Sequence, residues 1–251
     1  MIDENTFSGS KTERVARVLL NWIIESDISP GSSLGTEAEL LERLHVSRPT
    51  LRESLRILES QGILTLRPGP GGGILVSKPS VDMLAYSLSV YLRLNDVPFV
   101  EILRARMAIE PVLVRDSARF GSDEDFDEME RSIDRLEKSG GDSEVVYKEN
   151  RAFHNAIARA ASNPVLELFW STISILASGE GAGLKYTERN LSHIIGAHRR
   201  ILEACRKRDP EAAHRLMVDH LGELDVLLRT RFKDRLDEPT RITHKESGKL
   251  V

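Results

Sequence analysis

The chain has 251 residues, 40% of them hydrophobic, 29% charged and 5% aromatic, with a formal net charge of −4 and a single cysteine, Cys205. That length accommodates two ordinary domains with cores of leucine, isoleucine, valine and alanine, and the lone cysteine excludes an internal disulfide and a cysteine-based zinc site. No apolar run reaches the roughly 18 residues of a membrane span, and the opening MIDENTFSGSK has no signal-peptide core. A cytoplasmic protein without a membrane partner is expected. The slight acidity means that any nucleic-acid binding must come from a local basic stripe.

Residues 1–10 read as a flexible arm. Lys11 to Ser26 carries Val15, Val18, Leu19, Trp22 and Ile23 at helical spacing, which predicts an amphipathic helix. Ile28 to Ser33 reads as a turn. Thr36, with Glu39 three residues on, forms a capping box that opens a second helix bearing Leu40, Leu41 and Leu44. After a break at His45-Val46, Ser47 is the next N-cap, and Pro49 fits the first turn because its missing N–H has no helical partner there. Leu51, Leu55 and Leu58 lie on the inward side of this third helix, which Gly62 ends. Ile63 to Leu66 and Ile74 to Val76 predict two short strands, with Arg67-Pro68-Gly69-Pro70-Gly71-Gly72-Gly73 as the tip between them.

Arg48, Arg52 and Arg56 recur at intervals of four on a stripe beside the leucines and, with Thr50, crowd the N-terminal half of the third helix. A recognition helix presents that half to base edges, and arginine is the side chain that forks onto guanine. The alternative is a solvated face paired with Glu53 and Glu59. The hairpin has two readings as well. Its glycines put no side chain between backbone and phosphate, so with Arg67 it can serve as a wing; or it is a plain flexible turn. A nucleotide-binding loop fails, because no lysine and hydroxyl follow the glycines ahead of a helix.

The segment resembles the winged helix-turn-helix of the GntR superfamily of bacterial transcription regulators. The resemblance rests on the turn Ser29-Pro30-Gly31, then Leu34, Glu37, Leu40, Val46-Ser47-Arg48, Leu51-Arg52-Glu53, Leu55, Leu58 and Gly62. It implies that Ser47, Arg48, Pro49, Arg52 and the wing glycine contact double-stranded operator DNA; Thr50, Arg56, Arg67, Gly69 and Gly71 complete the candidate surface. One departure is Ala38, where many relatives place an arginine.

Ser77-Lys78-Pro79-Ser80 has linker composition, giving a winged domain over 11–77. From there to about Arg235 the pattern is helical throughout. Helices are predicted over Val81–Leu94, Pro98–Phe120, Asp123–Lys138, Glu144–Ala161, Val165–Ser178, Glu188–Arg208 and Pro210–Arg235, punctuated by Ser122 with Asp125, Asn163-Pro164 and Asp209-Pro210. Gly179 to Gly183 reads as a flexible break. The expected fold is therefore mainly α: a winged helix-turn-helix with a small β-hairpin, an all-helical bundle over 78–235, and a disordered tail over 236–251.

Within the bundle, His154, His198 and His220 sit beside apolar neighbours on separate predicted helices, and Asn150 is one turn before His154. Imidazoles from three helices can build a metal site inside a bundle, although isolated helical histidines are commonly just half-buried polar residues. This half resembles the FCD ligand domain of the FadR-type branch of the same superfamily, over nearly all of Val81 to Arg229. The resemblance implies a divalent ion of zinc or nickel type at Asn150, His154, His198 and His220. Asn150 stands in place of the usual aspartate, so the ion loses a negative ligand and is held less tightly. It also implies that Arg106 faces the cavity and clamps a carboxylate of the effector; otherwise Arg106 pairs with Glu110 on an exposed face. Arg104 is the weaker candidate, and Asp116, Glu180 and His193 receive no role.

The leading expectation is a homodimeric transcription repressor whose grip on its operator is set by a small carboxylic-acid effector, not an enzyme. The rivals are a metal-dependent hydrolase or isomerase on the bundle, and a DNA-binding dimer with no effector. Asn150 occupies the place of a general base and cannot act as one, which argues against catalysis.

Overall fold

A computed structural model of the chain describes residues 9–67, 69, 73–177, 187–231 and 236–240. Residues 1–8 of the arm expected over 1–10, the wing residue Gly71, the break at Gly179 to Gly183 with Glu180, and the tail beyond 240 lie outside the described residues, whereas Ser10 belongs to the first helix as its cap. Two compact units divide between Met83 and Leu84, inside the first turn of a helix and not at the linker after Ser77.

In the first unit, α1 (Lys11–Glu25) is capped by Ser10, whose hydroxyl accepts from the Glu13 N–H while the Glu13 carboxylate accepts from the Ser10 N–H. The same reciprocal device opens α2 (Glu37–Leu44) through Thr36 and Glu39, as the sequence predicts; each box satisfies two otherwise orphaned donors. His45 then takes a left-handed conformation, φ 52°, and stops the helix. Two residues later Ser47 caps α3 (Arg48–Ser60), with Pro49 in its first turn. The chain leaves α3 through Gly62 at φ +71°, where the Gly62 N–H donates to the Glu59 carbonyl and the Ile63 N–H to that of Leu58. A side chain at such a φ is strained, which is why glycine stands there.

Three strands follow or precede these helices: β1 (Ser33–Gly35), β2 (Leu64–Arg67) and β3 (Gly73–Val76), antiparallel in the order β1-β3-β2. β1 departs from the turn that the sequence predicts over Ile28 to Ser33. Three residues are too short to show alternation, and only the long-range pairing of Ser33 with Leu75 and Gly35 with Ile74 creates the strand. Leu19, Leu40, Leu51, Leu55, Leu58, Leu64, Ile74 and Val76 close one core beneath the helices and sheet.

The second unit runs through α4 (Val81–Leu94), α5 (Phe99–Phe120), α6 (Asp123–Glu137), α7 (Ser143–Ala160), α8 (Pro164–Leu176), α9 (Glu188–Arg206) and α10 (Pro210–Arg231). α5 packs on α7, α8 and α10, and α9 on α6 and α10. Phe126, Met129, Ile133, Phe153, Ile157, Trp170 and Ile201 fill the main core.

The expectation of disorder from Leu236 onward requires a correction. Leu236 is buried against Leu103 and Leu228. The Phe99 N–H donates to the Glu238 carbonyl, the Thr240 N–H to that of Val97, and Pro98 bridges Pro239. The physical reason is at α5: its N-cap, Pro98, supplies no side-chain acceptor, so an orphaned N–H at the helix start is satisfied from the returning chain. Polar composition alone gave no sign of this.

Candidate DNA-reading edge and effector cavity

Leu51, Leu55 and Leu58 anchor α3 in the core, and this fixes which side of the helix meets solvent. Ser47, Arg48, Pro49, Arg52 and Arg56 are exposed and Thr50 half-buried. The Ser47 hydroxyl caps the Thr50 N–H and lies 2.8 Å from the Thr50 hydroxyl, so the first turn is rigid. Arg48, Arg56 and Arg67 have no partner among the described residues. Arg52 does, but it is neither Glu53 nor Glu59: its Nε donates to both carboxylate oxygens of Glu37 on α2, at 3.1 and 3.2 Å. Glu59 instead accepts from the Leu66 N–H at the edge of β2. The alternative of an arginine face neutralised within α3 therefore does not describe this helix. Gly69 at the hairpin tip is exposed at φ +95°, with nothing near the place a Cβ would take.

In the second unit, a cavity of about 300 Å³ opens between five helices. Arg106 reaches it from α5, Asn150 and His154 from α7, Trp170 from α8 and His220 from α10. His198, from α9, is fully buried behind it and stacks on Phe153 with ring centroids 3.9 Å apart. The three imidazoles converge: their ring centroids are 5.0 to 5.5 Å apart, and one nitrogen from each lies within 4.8 Å of the others. Neither nitrogen of His198 has a hydrogen-bond partner among the described residues.

Burial is the main reason that all three rings are held neutral. It pushes His198 well below the usual histidine range, aided by His220, His154 and Arg106. His220 is pushed down to about 3 by burial, then by His154 and Arg106. His154 is lowered by burial as well, against the opposing pull of Glu110. Neutral imidazoles keep the lone pairs that a metal or a ligand hydroxyl needs.

Arg106 pairs with Glu110 as the i, i+4 alternative has it, but the pair is not exposed: both residues are buried. The Arg106 Nε donates to the Glu110 Oε1, and the second Glu110 oxygen presses against Nδ1 of His154. Burial would raise the Glu110 carboxyl, yet Arg106 and His154 outweigh it and hold it down to about 2. On the far side of His154, Nε2 lies 3.1 Å from the Arg106 Nη2. Glu110 thus favours the tautomer with hydrogen on Nδ1 and leaves the Nε2 lone pair facing the guanidinium.

Sequence reasoning gave Glu110 no role of its own. The signal was present in its flanks, since Ile109, Pro111, Leu113 and Val114 leave little room for a solvated carboxylate. It also missed Arg151 and Arg189, which line the cavity without a partner among the described residues, and the contact of His193 with Glu223 at 2.6 Å. Arg104 pairs with Glu101 outside the cavity, and Asp116 with Arg115 and Arg119.

Comparison with known proteins matches residues 11–75 to the family described as bacterial regulatory proteins, gntR family, and residues 101–223 to the FCD domain. An uncharacterized HTH-type transcriptional regulator, YcbG of Bacillus subtilis (strain 168), is 33% identical over 88% of this chain and 89% of its own. The HTH-type transcriptional repressor NanR of Enterobacter sp. (strain 638) is 27% identical over 86% of this chain and 84% of its own. Among solved structures, Streptococcus agalactiae GntR superposes with a TM-score of 0.64 at 26% identity, over 85% of this chain and 98% of that one.

Proposed function

This chain belongs to the gntR family of bacterial regulatory proteins and carries an FCD domain as its second unit, and from that premise we propose that it is an operator-binding repressor released by a small carboxylic acid. The observation that carries the reading is the outer edge of α3, where Arg48 and Arg56 stand exposed and unneutralised beside Arg52 and a rigid, Ser47-capped first turn. Ser47, Arg48, Pro49, Thr50, Arg52 and Arg56 meet the major groove, and Arg67, Gly69 and Gly71 the neighbouring backbone. The protein acts as a homodimer in the cytoplasm. Val165, Leu168 and Phe169 expose one face of α8, and Tyr91 and Leu94 one side of α4; large apolar side chains so placed suit self-association. Two recognition helices then engage half-sites about one DNA turn apart.

The acid enters the cavity and binds Arg106, whose Nη1 has no partner among the described residues. It gains its regulatory effect only by preferring one arrangement of the dimer. The residues present fit a divalent ion: three neutral imidazoles, both nitrogens of His198 buried without a partner among the described residues, and Asn150 on the same wall. His154, His198 and His220 would hold it, with the Asn150 amide oxygen in place of a carboxylate. A zinc- or nickel-type ion prefers such nitrogen donors and would supply a positive anchor for the acid. Arg106 holds the His154 Nε2 lone pair that ion binding needs, so a carboxylate that draws the guanidinium away leaves that lone pair open. Ion and acid then favour each other's binding, by equal factors.

Mobility-shift titrations of duplexes selected from a random library test the main reading. Arg52→Ala lowers affinity roughly tenfold or more, and a shift insensitive to this change sinks the proposed surface. Metal content after replacing both His154 and His198 tests the ion site: it falls, whereas equal content in the double variant and the parent rejects the site.

A further inference from the structure

Glu37 has no task in the reading above. It stands at the first position of α2, beside the exposed Ala38. Its helix is firmly placed: the Thr36–Glu39 box closes the start, and Leu40 is buried in the core of the first unit. From there the Glu37 carboxylate reaches across to α3, where both of its oxygens accept from the Arg52 Nε–H, at 3.1 and 3.2 Å. Neither side chain has another partner among the described residues.

The contact does little for the fold. The two side chains are 66% and 31% exposed, and ion pairs so open to water contribute little to stability. α2 and α3 are joined in any case by Leu40, Leu51 and Leu55 in one core. What the contact does fix is direction. A guanidinium forks onto a pair of acceptors either through the edge that includes Nε or through the edge made of Nη1 and Nη2. Glu37 occupies Nε and leaves the Nη1–Nη2 edge for a ligand on the exposed side of α3. Parallel N–H donors of that kind match O6 and N7 of guanine. An unrestrained arginine surrenders rotamer freedom to make the pair, whereas one already held by a carboxylate surrenders less. The same carboxylate repels phosphate and so weakens binding to any duplex, matched or not. Holding the arginine favours the matched duplex alone, and the difference between these effects is selectivity.

We infer that Glu37 is a positioning residue for sequence recognition: it aims the Nη1–Nη2 edge of Arg52 at a guanine and sharpens the separation of operator from other DNA, without itself touching a base. This rests on the operator-binding reading above and deepens it.

The test uses the full-length protein with a duplex selected from a random library, the same duplex with each G·C pair singly replaced by A·T, and a duplex of unrelated sequence. Loss of preference in Arg52→Ala marks the base pair that Arg52 reads. At that pair Glu37→Ala lowers discrimination about tenfold and leaves it unchanged elsewhere. The variant binds the unrelated duplex at least as tightly as the parent does. In an Arg52→Ala background the same change removes no further discrimination. Glu37→Gln keeps an oxygen acceptor for Nε and loses the charge, so it retains most of the discrimination and binds the unrelated duplex more tightly. Glu37→Ser, too short to reach Arg52 and tolerated at a helix start, serves if the alanine variant does not fold. Parental discrimination in the alanine or serine variant overturns the inference. So does an equal loss on every duplex, or an equal loss in the glutamine and alanine variants, because Glu37 then acts only through the charge at the start of α2. If Arg52→Ala weakens all duplexes alike, Arg52 reads no base and the inference falls while operator binding stands. If Arg52→Ala changes no affinity at all, the proposed surface beneath it falls as well.

Discussion

Arginine does opposite work in the two halves of this chain. On α3, Arg48 and Arg56 are exposed and without a partner among the described residues, and Arg52 is held by a surface contact with Glu37 whose own side chain is partly open to water. Such side chains remain available to a polyanion, and each phosphate they neutralise releases counterions. In the second unit, Arg106 is buried, bonded to Glu110 and against His154, and separating it from either partner leaves a buried charge or polar group uncompensated. An exposed arginine can be recruited by a ligand without disturbing the fold; a buried one is part of the fold, and a ligand has to offer at least what its present partners do.

The largest consequence of that contrast is expected at Glu110. Glu110→Ala leaves the Arg106 charge buried and unpaired, and is predicted to destabilise the second unit by about 3–5 kcal/mol, read as a lower urea midpoint for its unfolding. A cost below about 1 kcal/mol shows that the pair is as weak as a surface contact, and the distinction between the two regions collapses. On α3, Arg48→Ala is predicted to leave the unfolding midpoint within about 0.5 kcal/mol and to lower affinity for selected duplexes by about 1–3 kcal/mol if it reads a base. If Arg48 meets only phosphate, the loss is uniform over sequences and the salt dependence of binding becomes shallower by about one. Unchanged binding removes it from the interface.

The two regions also differ in their response to pH. His154, His198 and His220 titrate lower in the folded chain than in the unfolded one, so the unfolded state takes up protons first. Their stabilising contribution is present above about pH 6.5 and is lost as pH falls toward the folded values. Each contributes a slope of up to about 1.4 kcal/mol per pH unit below that point. Glu110 acts in the same direction, but only below its ordinary value of 4.5. In protein freed of metal with a chelator, the melting temperature of the second unit therefore falls between pH 6.5 and 5, and His220→Gln makes that fall shallower. A melting temperature flat across this interval shows that the rings are already solvated.

Much of the first unit was legible because its signals are local. The Thr36–Glu39 box, the Ser47 cap, Pro49 in the first turn and the glycine exit at Gly62 each concern groups within four residues of one another, so sequence spacing fixes the contact. The leucine stripe of α3 determined, by elimination, that its arginines face out. Among the cavity residues, apolar neighbours on separate predicted helices single out His154, His198 and His220, with Asn150 one turn before His154, and the family resemblance adds Arg106 and the idea of a shared site. Their convergence depends on five helices meeting, which no spacing along the chain encodes.

The chain by itself determined two units, the helical periods, the capping and the basic edge of α3, because these follow from dihedral preference and from apolar side chains recurring with the helix. Tertiary structure decided three other things. It paired Ser33 to Gly35 into the sheet, brought the segment around Leu236 back onto α5, and turned Glu110 from a surface partner into the buried link between Arg106 and His154. Each depends on a partner far along the sequence, and burial and long-range hydrogen bonding become defined only once the helices have packed.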